Sequence, residues 1–481
     1  MSAQADIAVP RDVSAKVLRA LRRRKALWRF LASFCREADA SGARVHLVGG
    51  FVRDLVEGRP GKDVDLMVTG IPFDALGKIL ASLPAKKLGL RRIVAAGRRF
   101  PVYRVATGWS DVDIDVAPAR SASAAGPSAR ADAARRDFTI NSLVFAFRPR
   151  GTGIGGEVID YFGGLSDLRR NRLRGVGDPG ERIREDPLRI LRAIRLRNER
   201  PGCTIENRTW QAILSATPSL AGTIPGDRAI GEIVRALAAN PLGTIDDLRR
   251  SGALRAILPE LGDRSFPRMR RRYALLLASL GRPLPETVLL ANLLVDVAAS
   301  EARDAASAED AMKVFRLSRT EAAARRLRVP GVRRVVRLLE DLGRLERAGT
   351  MPNRNARVEA LFGRWDDPRW LRALYEAARA ASSRPAEDFR PLLRRSSRKA
   401  ALLTGKEILR MGVPAGPMVE SVLERVRDAT LSGEVSTRRE AAALAASLSG
   451  GGRAPGGRHR RSLSSRSPKR SPARRMTRMG P

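Results

Sequence analysis

The chain has 481 residues, 43% hydrophobic but only 5% aromatic, and a formal net charge of +39 at pH 7. That length and apolar content suffice for a sizeable core spread over several domains, filled by Leu, Val, Ile and Ala. The charge points to a polyanionic partner, nucleic acid ahead of a membrane surface. Residues 450–481 carry ten Lys or Arg and no acid, which leaves +29 on the rest, so the basic character is not confined to the end of the chain. Two cysteines, Cys35 and Cys203, exclude a disulfide framework and a cysteine-rich zinc site. Two histidines, His46 and His459, exclude a His-rich metal site and argue against a Ser-His-Asp hydrolase. No apolar run approaches bilayer-spanning length and no secretory apolar stretch opens the chain, so the expectation is a cytoplasmic protein with no membrane partner and no obligate protein partner.

Residues 1–25 are basic and end in Arg22-Arg23-Arg24-Lys25, either a solvated helix end or an RNA contact. Leu27, Phe30, Leu31 and Phe34 repeat at helical spacing and predict an amphipathic helix packed on a following sheet. Val45 to Val68 then reads as a strand broken at Gly49-Gly50, a helix-length segment with Arg53-Asp54, a loop, and a second strand. Side chains alternate along that second strand, so Asp63 and Asp65 share one face and Val64, Leu66 and Val68 the other. Two adjacent carboxylates repel, and a hard divalent cation relieves the repulsion. The glycine pair leading into a helix start is a natural phosphate cradle, although Gly-Gly also serves as plain turn chemistry.

Phe73 to Leu83 reads as a helix, and Arg91 to Ala106 as two strands with a turn at Gly97. Val112 to Val116 forms another strand whose Asp111, Asp113 and Asp115 share a face; this is either a third acidic contribution to a metal site or the exposed face of an edge strand. Ser121 to Ala134, rich in Ser, Ala and Gly, reads as a mobile loop. Next comes Arg135-Arg136-Asp137-Phe138-Thr139-Ile140-Asn141. Adjacent arginines can grip a triphosphate with forked donors, and Asp137 and Asn141 can hydrogen-bond ribose hydroxyls; the alternative is a salt bridge capping the next helix. Ile183 to Arg192 starts a helix at Pro187, with Glu185, Asp186 and Arg189 on one face.

Strand, Gly-Gly, helix with Arg53-Asp54, then Lys62-Asp63-Val64-Asp65, followed by the RRDFTIN stretch and Glu185-Asp186-x-x-Arg189, resembles the class II nucleotidyltransferases, the family of tRNA CCA-adding enzymes and bacterial poly(A) polymerases. The resemblance spans roughly residues 43–445, strong through Arg192 and looser afterwards. It implies an α+β fold, with a polymerase-β-like head of mixed sheet and helices followed by helical neck, body and tail. The expected division is a basic segment 1–25, head 26–165, neck 166–240, body 241–345, RNA-binding tail 346–448, and a disordered Arg/Ser/Pro-rich extension 449–481.

The resemblance further implies Asp63 and Asp65 as catalytic metal ligands, with Asp115 at the position of a third family acid. It implies nucleotide binding by Gly49, Gly50, Arg53, Arg135, Arg136, Asp137 and Asn141. Asp186 and Arg189 would read the Watson–Crick edge of the incoming base in place of a nucleic-acid template, with Glu185 orienting Arg189 and Arg192 counted with the set. The implied reaction is template-independent nucleotidyl transfer from ATP or CTP to an RNA 3′-hydroxyl, with two Mg²⁺ ions. Leu289 to Val297 is similar to a His-Asp phosphohydrolase segment of some relatives, but Val295 stands where a histidine is needed, which excludes that activity.

The expected partner is RNA, and tRNA 3′ ends are preferred because Leu403 to Leu444 is similar to the tRNA-holding tail of bacterial CCA-adding enzymes. Poly(A) synthesis is the alternative, since Gly97-Arg98-Arg99-Phe100 and an arginine-rich extension resemble bacterial poly(A) polymerases. Split CC- or A-addition and a non-catalytic RNA-binding protein are the remaining readings. Arg197 to Cys203 departs from the apolar helix continuation usual in the family.

Overall fold

The computed structural model describes residues 7–97, 101–109, 112–119, 128–151, 153–220, 223–259, 261, 263, 265–301, 332–348, 358–359, 361–362, 365, 367–381, 389, 402–414, 416–432, 435 and 437–448. Two compact units divide the chain: residues 1–354 with 367–390, and residues 355–366 with 391–481.

The first unit opens with α1 (Arg11–Arg23) and α2 (Lys25–Ala40). The helical spacing of Leu27, Phe30, Leu31 and Phe34 puts all four on one buried face of α2, which packs on the sheet that follows. That sheet has seven strands: β1 (Arg44–Val48), β2 (Asp63–Thr69), β3 (Leu90–Ala96), β4 (Val102–Thr107), β5 (Asp113–Pro118), β6 (Val144–Arg150) and β7 (Gly153–Ile159). Their order is β3-β4-β5-β2-β1-β6-β7, antiparallel throughout except for the parallel pair β2–β5. Both acid-bearing strands therefore sit side by side near the middle of the sheet and run the same way.

Between β1 and β2 lies α3 (Gly50–Glu57), and α4 (Phe73–Ser82) and α5 (Ala85–Leu88) follow β2. One sheet face is covered by α2 and α4, where Val64, Leu66, Val68, Ile114 and Val116 are buried. On the other face a smaller apolar cluster of Val48, Met67, Ala133 and Val144 sits beside the acidic positions. The stretch read as a loop up to Ala134 is helical over its last part, α6 (Ala129–Ala134), capped by the Ser128 hydroxyl accepting from the Ala131 N–H at 3.2 Å. That cap is a local hydrogen bond which a composition rich in Ser, Ala and Gly masks.

Beyond the sheet come α7 (Gly164–Arg169), α8 (Pro179–Glu185), α9 (Leu188–Asn198), α10 (Asn207–Ala216), α11 (Gly226–Ala239) and α12 (Pro241–Ser251). Pro187 breaks α8 from α9, lacking the N–H that would continue the helix. Helix α9 packs along α11 and α12. Further on, Tyr273 of helix Ser265–Leu280 donates to the Leu289 carbonyl of helix Glu286–Glu301 at 2.7 Å. In the same pair Arg272 binds Asp296 at 2.7 Å and Asn292 at 2.6 Å, so the segment similar to a phosphohydrolase motif is a buried polar contact between helices.

In the second unit, helices Gly405–Arg410, Pro417–Ser432 and Arg438–Leu448 share a core of Leu403, Ile408, Val413, Val422, Val426, Ala429, Val435, Ala441 and Ala445. Glu407 accepts from the Thr404 N–H at 2.7 Å and starts the first of them with a capping box. Among the described residues no helix is long and apolar enough to cross a membrane. Arg98, Arg99, Phe100, Asp111 and the extension after residue 448 lie outside the described residues.

Candidate active site

The parallel register of β2 and β5 aligns Asp63 with Asp113 and Asp65 with Asp115. Because strand side chains alternate, all four carboxylates rise from the face opposite the buried valines, as a two-by-two ledge. A cavity of about 440 Å³ opens beside it; Asp65 and Asp115 line this space, while Asp63 and Asp113 stand outside the lining.

Crowding by the surrounding protein lifts the Asp65 pKa, Arg136 opposes the shift, and Asp115 and Asp63 add to it. Asp115 is lifted the same way, with Arg104, 3.9 Å away, opposing and Asp113 and Asp63 adding. Neither Asp63 nor Asp65 has an ion-pair partner among the described residues. The ledge thus holds concentrated negative charge that the protein itself leaves largely uncompensated.

Gly49 caps α3 with a φ of +81°, and a Cβ there would sit 2.9 Å from Arg136 Nη1 and 3.0 Å from Asp65 Oδ2. Only glycine supplies both that backbone and that space, which keeps the α3 N-terminus open toward the ledge. One turn in, Arg53 is fixed by two bonds to Asp54, at 2.9 and 2.7 Å, and one to Asn141 Oδ1 at 2.7 Å.

Opposite the ledge the RRDFTIN stretch and α9 build a wall. Arg136 is steadied by Asp132 at 3.0 Å, and Arg135 also lines the cavity. Asp137 is buried, and its carboxylate accepts from the Phe138 N–H at 2.8 Å, Asn141 Nδ2 at 3.0 Å and Arg192 Nε at 2.8 Å. Burial works to raise its pKa, but the Arg192 charge and these hydrogen bonds hold it down at about 2. The same pairing raises Arg192 above the usual arginine range. Asp137 and Asn141 therefore have their polar atoms engaged within the protein, locking the stretch to α9 and to Arg53.

The residues at the α8–α9 break converge on the same cavity. Arg189 donates to the Arg182 carbonyl at 2.6 Å and the Arg135 carbonyl at 2.8 Å, and lies 3.4 Å from Glu185. Burial lowers its pKa while Asp137, Glu185 and Asp186 oppose. These bonds occupy both Nη1 hydrogens and one Nη2 hydrogen. Asp186 accepts from the Leu188 N–H at 3.2 Å and meets Arg228 of α11 at 3.3 Å.

Arg228 lines the cavity, and Glu232, one turn later, binds Arg195 at 2.5 Å and approaches Arg192 at 3.7 Å. Sequence reasoning placed this DRAIGEI segment only in a helical neck; the four-residue spacing of Arg228 and Glu232 was the available signal for one face pointing at α9. It also missed Arg200, which grips Glu57 at the end of α3 with two bonds of 2.7 and 2.6 Å across 143 residues of sequence. The departure from apolar residues at Arg197 to Cys203 is thereby explained: Arg197 and Asn198 bind Asp247 of α12, and Arg200, just past α9, ties that end of the helix to α3.

Among the described residues no three acidic, histidine or cysteine side chains enclose a metal by themselves. Carboxylates on a ledge, arginines across a cavity and a helix N-terminus at its edge form an arrangement whose chemistry suits a phosphate-bearing ligand accompanied by a cation.

Comparison with known proteins agrees. Residues 45–174 match the model of the poly A polymerase head domain. The chain is 28% identical over 426 residues to the CCA-adding enzyme of Geobacillus stearothermophilus, covering 83% of this chain and 91% of that one. It is 29% identical over 239 residues to Poly(A) polymerase I of Haemophilus influenzae, covering 46% and 49%. Among solved structures, a Thermotoga maritima CCA-adding enzyme complexed with tRNA superimposes with a TM-score of 0.55 at 22% identity, over 90% of this chain and 98% of that one. At that identity the likeness establishes the fold.

Proposed function

We propose that this chain transfers nucleotidyl groups from ATP and CTP to the 3′-hydroxyl of RNA, releasing pyrophosphate, and that it adds or repairs the 3′ CCA end of tRNA. The observation that carries the reading is Asp65 and Asp115 of the acidic ledge, with Asp63 beside them, facing Arg135, Arg136, Arg189 and Arg192 across one cavity. Preference for tRNA rests on relatives: two CCA-adding enzymes match along 83–84% of the chain, others along 37–55%, and the Poly(A) polymerase I relatives along 46%.

Asp63 and Asp65, with Asp115 beside them, suit Mg²⁺, which takes one or two carboxylates and completes its shell with water and phosphate oxygens. When bound, that ion lowers the pKa of the attacking hydroxyl and offsets charge on the departing pyrophosphate. The chain's own residues position and neutralise. The α3 N-terminus at Gly49-Gly50 and the fixed guanidinium of Arg53 hold the triphosphate, and Arg135 and Arg136 meet it from the wall. The 3′-oxygen attacks the α-phosphorus, the α–β phosphoanhydride bond breaks, and the hydroxyl proton passes to solvent. Asp186 accepts from and Arg189 donates to the edge of the incoming base.

The test offers labelled ATP or CTP with Mg²⁺ to three acceptors: tRNA ending before CC, tRNA ending in CC, and unstructured RNA. Incorporation of both nucleotides on tRNA alone is expected. Binding without incorporation in any lane overturns the enzyme reading. Long A tracts on every RNA would instead establish poly(A) synthesis, which the match to Poly(A) polymerase I favours over the head.

A further inference from the structure

A second groove lies on the head away from the ledge, between the exposed face of α1 and the far end of α3. It has a volume of about 500 Å³ and is lined by Lys16, Arg19, Arg23, Arg24 and Arg59, with Leu55 and Pro60 among its few uncharged residues. No carboxylate lines it. The sequence spacing explains the stripe: Val17 and Leu21 bury one side of α1, which turns Lys16, Arg19 and Arg23, at i, i+3 and i+7, onto the other.

The individual contacts separate cations that serve the fold from cations that do not. Lys16 caps the Val56 carbonyl at 2.6 Å, Arg24 donates to the Gly61 carbonyl at 2.8 Å and covers the Phe51 ring, and Arg59 pairs with Glu57 at 2.6 Å. Arg19 and Arg23 are exposed, four residues apart on one face, and have no acidic partner among the described residues. Like charges at that spacing repel. The helix dipole favours Arg23 in the last turn but gives nothing to Arg19 in the middle of the helix.

Around the ledge Arg53, Arg136 and Arg192 are each paired with a carboxylate. Arg19 and Arg23, beside three cations held by the fold, therefore mark a place where an external polyanion supplies counter-charge. Helix α3 has eight residues and so spans about 12 Å. Its first turn borders the ledge and its last borders this groove, which sets the two about that far apart along one rigid element.

We infer that this groove binds the sugar–phosphate backbone of RNA, independently of sequence, as a second contact beside the reacting 3′ end. The inference rests on the RNA-directed function proposed above and assigns Arg19 and Arg23 to acceptor binding rather than to chemistry.

The test measures equilibrium binding of full-length protein to a tRNA transcript and to single-stranded RNA over a salt series. Arg19→Gln/Arg23→Gln is compared with Arg91→Gln/Arg92→Gln, which removes the same charge from the exposed edge strand β3. Loss of two phosphate contacts lowers the slope of log K against log salt by roughly 1.4 to 1.8 and weakens binding about tenfold at low salt. The β3 variant is expected to stay close to wild type. Nucleotide incorporation at saturating RNA should be unchanged in the groove variant. Unchanged affinity and slope, or an equal loss in both variants, overturns the proposal. Unaltered RNA binding with lost binding to phosphatidylserine vesicles also overturns it, in favour of a lipid surface. If wild-type protein binds RNA but incorporates nothing, the catalytic reading fails while the groove is still decided by the slope.

Discussion

Two acidic regions of the head, the β2–β5 ledge and the buried Asp137, face the same cavity under opposite electrostatics. Asp65 and Asp115 are pushed upward by burial and by neighbouring carboxylates, against the opposing charges of Arg136 and Arg104. Asp137 is buried yet held down at about 2 by Arg192, Asn141 and the Phe138 N–H. A carboxylate whose oxygens are all engaged is scaffolding; a group of carboxylates left in mutual repulsion is waiting for a cation and its substrate. Only the second arrangement can change partner during a reaction.

The comparison breaks most sharply through the ledge. Asp65→Ala removes charge that stabilises nothing in the free protein, so its melting temperature should hold or rise slightly. Incorporation should fall by roughly a thousandfold, equivalent to about 4 kcal/mol of transition-state stabilisation. Retained incorporation would take Asp65 out of the metal site.

Asp137→Ala should do the reverse. It leaves Arg192 without its main partner and costs about 3 kcal/mol of stability, seen as a shifted denaturant midpoint. Acid tests the same pair. Because the folded pKa is depressed, the contribution is fully present above the unfolded value near 4 and disappears as pH falls toward about 2. Wild type should lose about 2 to 3 kcal/mol over that window and Asp137→Ala should lose less. Parallel acid curves for the two proteins would detach the shift from Asp137.

The smallest expected effect is at the far end of α3. Arg200→Ala should cost about 2 kcal/mol, below the usual cost of breaking a buried pair because Glu57 keeps Arg59 and some exposure to water. Burial works to raise the Glu57 pKa, but Arg200 and Arg59 hold it low. Reversing the pair, Glu57→Arg with Arg200→Glu, should recover part of the loss; no recovery would mean that packing rather than charge joins α9 to α3.

Much of the head was legible in the sequence because its signals are local. Alternation placed Asp63 and Asp65 opposite three buried residues of β2, and the 3.6-residue repeat gave α2 its buried face. The glycine pair announced the helix start, and the RRDFTIN stretch announced the wall. Harder to read were contacts between segments far apart in sequence. Asp137 and Asn141 looked free to touch ribose, and folding instead engages them with Arg192 and Arg53. Arg228, Glu232 and Arg200 carried no motif at all, since their partners lie 37 to 143 residues away.

The sequence by itself determined which side chains share a strand face or a helix face, because backbone geometry makes those neighbours at fixed spacing. It determined as well the surplus of positive charge and the glycines where a left-handed turn is required. Only the tertiary structure decided which charges are cancelled. The parallel pairing of β2 and β5 brings the acids together, and the packing of α9 gives Asp137 a direct arginine partner while Asp63 and Asp65 have no ion pair among the described residues. Neutralisation depends on distance and burial between distant segments, and no local pattern encodes either.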